Sequence, residues 1–266
     1  LHKRPVVVLS NNDGCVIARS NEAKKVGIQM GIPAFQAEAL FKRYNVAVYS
    51  ANFSLYGDMS RRVMSILSSY SPRQEVYSVD ECFLDLSGME NPKAYGLRMQ
   101  EQVGRWTGIP ISVGIAPTKA LAKVANRIAK KYPAQTGGCY LIDSEEKRRK
   151  ALRWLPVEDI WGVGRRNAAK LQAAGVTRAL DFAAMPESWV RKNMTITGVN
   201  LQKELNGIPC IGFINWEKSK SFSVTRTFEK EYDTWDEIKE RVVTFTAMAA
   251  AKIRKQQSLC TRLSVF

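Results

Sequence analysis

The stretch Tyr77-Ser78-Val79-Asp80-Glu81-Cys82 sets two adjacent carboxylates, Asp80 and Glu81, between two strand-like runs, Glu75 to Val79 and Cys82 to Leu86. Within a strand, neighbouring side chains point to opposite faces. At the tip of a hairpin that constraint relaxes, and both acids can converge on one point. Their mutual repulsion then favours a bound cation, and hard carboxylate oxygens suit Mg²⁺. Such a pair is half of a two-metal phosphoryl-transfer site. Taken alone, the dipeptide reads more readily as a solvated acidic turn. The rest of the chain tips the balance.

The 266 residues carry 40 Lys+Arg against 25 Asp+Glu, a net charge of +15. That excess points to a polyanionic partner, nucleic acid foremost. An anionic membrane surface is the weaker reading, because no helix pairs a basic face with a bulky aromatic one. No apolar run is long enough to span a bilayer, and no signal peptide is visible. Five cysteines (Cys15, Cys82, Cys139, Cys210, Cys260) are scattered without C-x-x-C spacing. They read as buried thiols of a reducing cytoplasm, not as a disulfide framework or a zinc site. The single histidine, His2, lies near the start, which argues against catalysis built on a histidine base. The chain starts just ahead of a buried-looking strand and stops inside an alternating one, so a fragment of a longer protein is expected.

Working outward from the acidic stretch, the pattern is a mixture of hairpins and crossover helices. Val6 to Ser10 and Cys15 to Arg19 flank Asn11-Asn12-Asp13-Gly14, a hairpin signal. Ser20 caps a short helix from Asn21 to Val26, closed by Gly27. A helix over Ala34 to Arg43, a strand over Val46 to Ser50 and a helix over Phe53 to Ser69 follow. Leu55, Met59, Val63 and Leu67 recur along the last of these. Beyond the hairpin come a helix over Ala94 to Thr107, a strand around Ile111 to Ile115, a helix over Thr118 to Lys131 and a strand over Cys139 to Ile142. From Ser144 the texture turns to short basic helices, with Glu187 to Leu205 partly helical. A linker over Asn206 to Ser219 precedes a β-α-β unit: strand Ser221 to Phe228, helix Trp235 to Lys255, strand Thr261 to Phe266. The fold class is α+β.

Three further constellations bear on chemistry. Trp161-Gly162-Val163-Gly164-Arg165-Arg166 opens a helix with a G-x-G turn, which presents backbone N–H groups at a positive helix end. Gly162 and Gly164 suit a turn that grips a DNA phosphate, and Arg165 and Arg166 add charge-assisted contacts. A tight structural turn between helices is the alternative. On the helix over Thr118 to Lys131, Lys119, Lys123, Arg127 and Lys130 form a basic stripe with no acid in the segment. Like charges at that spacing repel, and a triphosphate or DNA backbone would offset the repulsion. A solvated face is the alternative. Finally, Asn21 and Lys24 sit on a helix start directly after a strand, a place that phosphate oxygens favour.

In order, these segments are Ala-Arg-Ser-Asn-Glu-Ala-Lys-Lys-Val-Gly from Ala18, Tyr-Ser-Val-Asp-Glu-Cys-Phe-Leu-Asp-Leu from Tyr77, Val-Gly-Ile-Ala-Pro-Thr-Lys-Ala-Leu-Ala-Lys-Val-Ala-Asn from Val113, and Val-Glu-Asp-Ile-Trp-Gly-Val-Gly from Val157. The set resembles the Y-family translesion DNA polymerases over essentially the whole chain. The run from Val6 to Arg19 is most similar to the UmuC-type catalytic subunits. The resemblance implies a right-hand polymerase: residues 1–50 fingers, 51–143 palm, 144–210 a helical thumb with a helix-hairpin-helix turn, 211–216 linker, and 217–266 the truncated start of a little finger. It implies that Asp80 holds catalytic Mg²⁺ and that Glu81 serves the metal that activates the primer 3′-hydroxyl. Lys24, Asn21 and Lys130 are implied dNTP contacts; Gly162, Gly164, Arg165, Arg166 and Lys123 are implied DNA contacts.

The implied function is error-prone, DNA-directed DNA synthesis opposite damaged template in the cytoplasm, as part of the SOS response. Small finger residues (Ala18, Ser20, Gly27, Gly31) fit loose selection of the base pair. Implied partners are primer-template DNA, dNTP, a processed UmuD dimer, a RecA filament and the sliding clamp, with no membrane. Two departures stand out. The family's first palm aspartate and its aromatic sugar gate are expected upstream of Leu1, so two metals would be under-coordinated and the chain alone impaired. Many relatives also have tyrosine and arginine where this chain has Asn21 and Lys24, and lysine lacks arginine's bidentate fork. Asp85 reads as structural. The rival readings are a non-catalytic DNA-binding or regulatory fragment and a palm-domain cyclase. The second leaves the thumb-like turn and the trailing β-α-β unit unexplained.

Overall fold

A computed structural model of the chain describes residues 3–214, 218–226, 228 and 230–265. His2, residues 215–217 of the expected linker and little-finger start, Thr227 of an expected strand and Phe266 of the terminal one lie outside them. The chain divides into two compact units, Leu1–Asn52 with Asn215–Phe266, and Phe53–Ile214.

In the first unit, β1 (Val6–Leu9) and β2 (Val16–Arg19) pair antiparallel as the turn chemistry predicts, with a register shift between Val8 and Leu9. Asn12 and Asp13 in the connection take positive φ, 53° and 51°, which Asn and Asp tolerate better than most residues. The Ser20 hydroxyl accepts from the Ala23 amide (3.2 Å) and from the Val6 amide (3.2 Å). One side chain thus caps α1 (Asn21–Lys25) and ties it to β1. After α2 (Ala34–Arg43), β3 (Ala47–Ser50) pairs parallel to β1, giving the order β2-β1-β3. Val7, Leu9, Val16, Ala23 and Ile28 form the core beneath.

The second unit opens with α3 (Phe53–Ser68), β4 (Gln74–Val76) and β5 (Cys82–Leu84). It continues with α4 (Pro92–Thr107), β6 (Val113–Ile115), α5 (Lys119–Lys131), α6 (Pro133–Thr136) and β7 (Cys139–Leu141). Four helices complete it: α7 (Glu145–Trp154), α8 (Arg165–Ala173), α9 (Ala179–Ala183) and α10 (Glu187–Leu205). β4 and β5 form an antiparallel hairpin, and β6 and β7 pair parallel across the α5–α6 crossover. The helices match the periodicity closely, but both hairpin strands are shorter than their apolar runs. β4 stops at Val76, so residues 77–81 form a loop. Along α3 only the second half reaches the core, through Val63, Met64 and Leu67, whereas Leu55 is exposed. One hydrophobic core runs across residues 143 and 144: Leu121, Val124 and Ile128 of α5 pack with Leu152, Leu171 and Phe182. α10 breaks at Thr195, whose φ of 64° and ψ of −169° are non-helical.

In the remaining part of the first unit, α11 (Trp235–Lys255) is capped by Thr234 and has no buried residue. The strands expected over Ser221 to Phe228 and Thr261 to Phe266 do not form among the described residues. Alternating side chains supply a face, but a strand also needs a neighbour to take its ladder. Just ahead of the first expected strand, Gln256 exchanges hydrogen bonds with the Ser219 backbone (2.7 and 3.1 Å).

What fixes α5 against the sheet is Gly114. A Cβ there would lie 2.1 Å from the Asn126 amide nitrogen and 2.3 Å from the Ala122 carbonyl oxygen. Only a residue without a side chain lets the strand touch the helix backbone. Gly114→Ala is expected to destabilise the protein by about 3 kcal/mol, read as a lower urea midpoint. Gly104→Ala in α4, where an added Cβ meets nothing within 4 Å, is the control and should stabilise by about 0.5–1 kcal/mol.

Candidate active site

The loop between β4 and β5 closes through the Glu81 carbonyl, which accepts from the amides of Tyr77 (3.0 Å) and Ser78 (3.1 Å). The Ser78 hydroxyl donates to the Asp80 carboxylate (2.6 Å). Asp80 is exposed and Glu81 half-buried. Being outside the strands, the two acids escape strict alternation and line the same walls. Clefts of about 690 and 870 Å³ both include Asp80, Glu81, Ser112, Lys123 and Asn126. Among the described residues β5 and β6 are each paired on one side only, and residues of both line the first of these. Among the described residues no three acids, cysteines or histidines cluster as a metal site. Two hard carboxylates nevertheless fit Mg²⁺, which is commonly held by one or two of them together with water and substrate phosphate.

The basic stripe of α5 runs from buried at Lys119 to exposed at Arg127 and Lys130, and three of its four cations are paired with acids. Lys119 is buried against Glu75 at 2.5 Å, Lys123 meets Glu81 at 2.5 Å, and Arg127 meets Asp159 at 2.5 Å. The repulsion along the helix is offset by carboxylates from distant segments. Lys130 is exposed, makes no ion pair among the described residues, and lines the 870 Å³ cleft with Asp80 and Glu81. Lys119 and Glu75 also hold the segment read as linker: Lys119 donates to the Gly212 carbonyl (2.7 Å), and Glu75 accepts from the Ile214 amide (2.8 Å). Glu204, buried on α10, accepts from the amides of Ala120 at the start of α5, Cys210 and Ile211 (3.1, 2.7 and 2.8 Å). Sequence reasoning passed over Glu75 and Glu204; an acid inside an apolar strand was the available signal for Glu75.

Of the five cysteines expected to be buried, only Cys139 is; Cys15 and Cys82 are half-buried, and Cys210 and Cys260 are exposed. Burial pushes the Cys82 thiol up, against the opposing hydrogen bond from Gln74. The Ser87 hydroxyl and amide hold the Asp85 carboxyl below its usual range, and Arg73 lies 3.4 Å away, consistent with a structural role.

The G-x-G turn leads into α8. Gly162 has φ of 89°, which favours glycine, and Gly164 is the extended N-cap residue. Val163 is buried in the helical core, while Arg165 and Arg166 are exposed and unpaired among the described residues. Trp161 packs on the acidic hairpin: its indole N–H donates to the Tyr77 hydroxyl (3.1 Å), and its ring lies 5.8 Å from that of Phe83. Asn21 and Lys24 belong to the other unit, where the Lys24 ammonium donates to the Asn21 side-chain carbonyl (3.2 Å). No helix among the described residues is long and apolar enough to cross a membrane.

Residues 1–127 match the impB/mucB/samB family, and residues 219–266 match the impB/mucB/samB family C-terminal domain. The chain is 41% identical to Protein UmuC of Salmonella typhimurium over 99% of its own length and 63% of that relative. It is 30% identical to DNA polymerase IV of Treponema denticola over 88% of its own length and 59% of that protein. It thus spans less than two thirds of either relative. Among solved structures it is similar to the insertion ternary complex of Dbh DNA polymerase, with a TM-score of 0.63 and 25% identity, over 76% of this chain and 60% of that one. The α+β architecture, the ordered motifs and the match at both ends of the sequence converge: the chain belongs to the impB/mucB/samB family.

Proposed function

We propose that this chain is the polymerising part of a DNA-directed DNA polymerase of the error-prone translesion type, adding dNTPs to a primer opposite damaged template in SOS repair. The observation that carries the reading is the hairpin loop, with Asp80 and Glu81 on one cleft wall beside Lys123, Arg127 and Lys130. Similarity to a relative named DNA polymerase IV and to a polymerase in an insertion ternary complex supports it.

The reaction is attack of the primer 3′-oxygen on the α-phosphate of a dNTP, with loss of pyrophosphate. Asp80 and Glu81 would hold Mg²⁺, and a third carboxylate would come from a strand upstream of Leu1. Such a strand could pair with the open edges of β5 and β6. Bound Mg²⁺ supplies charge stabilisation at the attacking and leaving oxygens. The chain's own part is to fix the carboxylates at the loop and to offer Lys130 to the triphosphate, with Asn21 and Lys24 of the fingers as further dNTP contacts. Lys123 neutralises Glu81 when no cation is bound and is a phosphate contact once released. The Gly162–Gly164 turn, Arg165 and Arg166 would seat the DNA backbone. The domain scheme is fingers over 1–50, palm over 51–143, thumb over 144–210, linker over 211–216 and the start of a little finger from 217. A processed UmuD dimer, a RecA filament and the sliding clamp are the proposed partners, in the cytoplasm.

The test is single-nucleotide primer extension with Mg²⁺, using the full-length protein beside its Asp80→Ala variant. Extension should fall at least about 100-fold in the variant. No extension by the unaltered protein with its partners supplied, while DNA binding persists, supports a non-catalytic DNA-binding role instead. Arg165→Gln with Arg166→Gln should weaken binding to primer-template evenly across sequences. It should also flatten the log affinity–log salt slope by about 1–2, measured by fluorescence anisotropy.

A further inference from the structure

We propose that Trp161 is a positioning residue that couples the DNA-gripping turn to the acidic hairpin, so that the seating of nucleic acid sets the place of the carboxylates. The inference rests on the polymerase reading for its rate measurements. Trp161 directly precedes Gly162, and the next residue, Val163, is buried in the helical core at 7% exposure. The turn is therefore anchored on one side. On the other side Trp161 reaches residues 77–83. Its N–H donates to the Tyr77 hydroxyl at 3.1 Å, with ring centroids 5.6 Å apart at 76°, an edge-to-face geometry. Phe83 closes a three-ring cluster, 5.8 Å from each of the other two.

Tyr77 passes this contact to Glu81 by two routes. Its amide donates to the Glu81 carbonyl at 3.0 Å, which is the bond that closes the loop. Its ring also lies 5.7 Å from the Lys123 ammonium, which holds the Glu81 carboxylate at 2.5 Å. A shift of Trp161 thus reaches both the backbone and the side chain of Glu81. In this proposal Trp161 acts through Tyr77. Reacting groups displaced by about 1 Å lose on the order of 100-fold in rate, so such a link has a kinetic signature distinct from that of a grip on DNA.

The test compares Trp161→Ala, Trp161→Phe and Tyr77→Phe in the full-length protein. The readouts are primer-template affinity, kcat and KM for one dNTP, melting temperature, and hydrogen exchange of residues 77–83 with and without DNA. Trp161→Ala should lower kcat at least about tenfold while DNA affinity and KM change less than about threefold. Trp161→Phe and Tyr77→Phe should give smaller, matching losses, and the double variant should be no worse than either, because both remove one hydrogen bond. Protection of residues 77–83 by DNA should disappear in Trp161→Ala. Unchanged kcat, or a parallel fall in kcat, DNA affinity and melting temperature that Trp161→Phe shares, overturns the proposal. If the unaltered protein does not extend primers, the polymerase reading fails. The coupling is then decided by exchange alone: protection retained in Trp161→Ala overturns it, and protection lost supports it.

Discussion

The buried pair of Lys119 and Glu75 is the constraint on which the second unit turns. Removing two charges from water costs several kcal/mol per ion unless geometry and further hydrogen bonds compensate. Here they do. Glu75, 4% exposed, accepts from both the Lys119 ammonium and the Ile214 amide, and Lys119, 8% exposed, also reaches the Gly212 carbonyl. The rings of Phe83 and Phe213 lie 5.0 and 4.8 Å from the ammonium. One interaction therefore joins strand β4, the first turn of α5 and the chain leaving α10. At the neighbouring residue Ala120, Glu204 adds a second buried carboxylate, taking amides from α5 and from residues 210 and 211.

With its start pinned, α5 runs against β6 at the closeness that Gly114 permits, and its polar face arrives where the hairpin loop needs cations. Lys123 and Arg127 meet acids from two different segments, Glu81 of the loop and Asp159 ahead of the G-x-G turn. The helix is thus a shared spine for hairpin and turn, with apolar residues packed into the helical core on the opposite side. This also revises what the net charge of +15 means locally. Of the four cations on the stripe, only Lys130 stays unpaired among the described residues, so the helix contributes less free positive charge than its composition suggests.

The parts of the site differ in how far they were legible from sequence. That Asp80 and Glu81 lie outside the strands and line the same clefts was readable because it needs only a turn, and turns are local chemistry. The turn at Gly162 was readable for the same reason. The expected strands over Ser221 to Phe228 and Thr261 to Phe266 misled, because alternation reports a face and is silent on whether a ladder partner is present. The linker over Asn206 to Ser219 was read from its Gly and Pro content, which carries no sign that two buried acids take the amides of Cys210, Ile211 and Ile214.

By itself the sequence determined the helices, their caps and the order of the motifs, since period, capping and turn residues act within a few positions of one another. Thr118 over α5 and Ser20 over α1 are caps in the structure, each side-chain oxygen accepting from the amide three residues on. Only the tertiary structure decided which charges are buried, which are neutralised, and that Trp161 lies on Tyr77. Lys119 and Glu75 are 44 residues apart, and Trp161 and Tyr77 are 84 apart. Nothing in local propensity encodes such a meeting; it follows from the packing of β6 on α5, where the absence of one side chain sets the distance between two backbones.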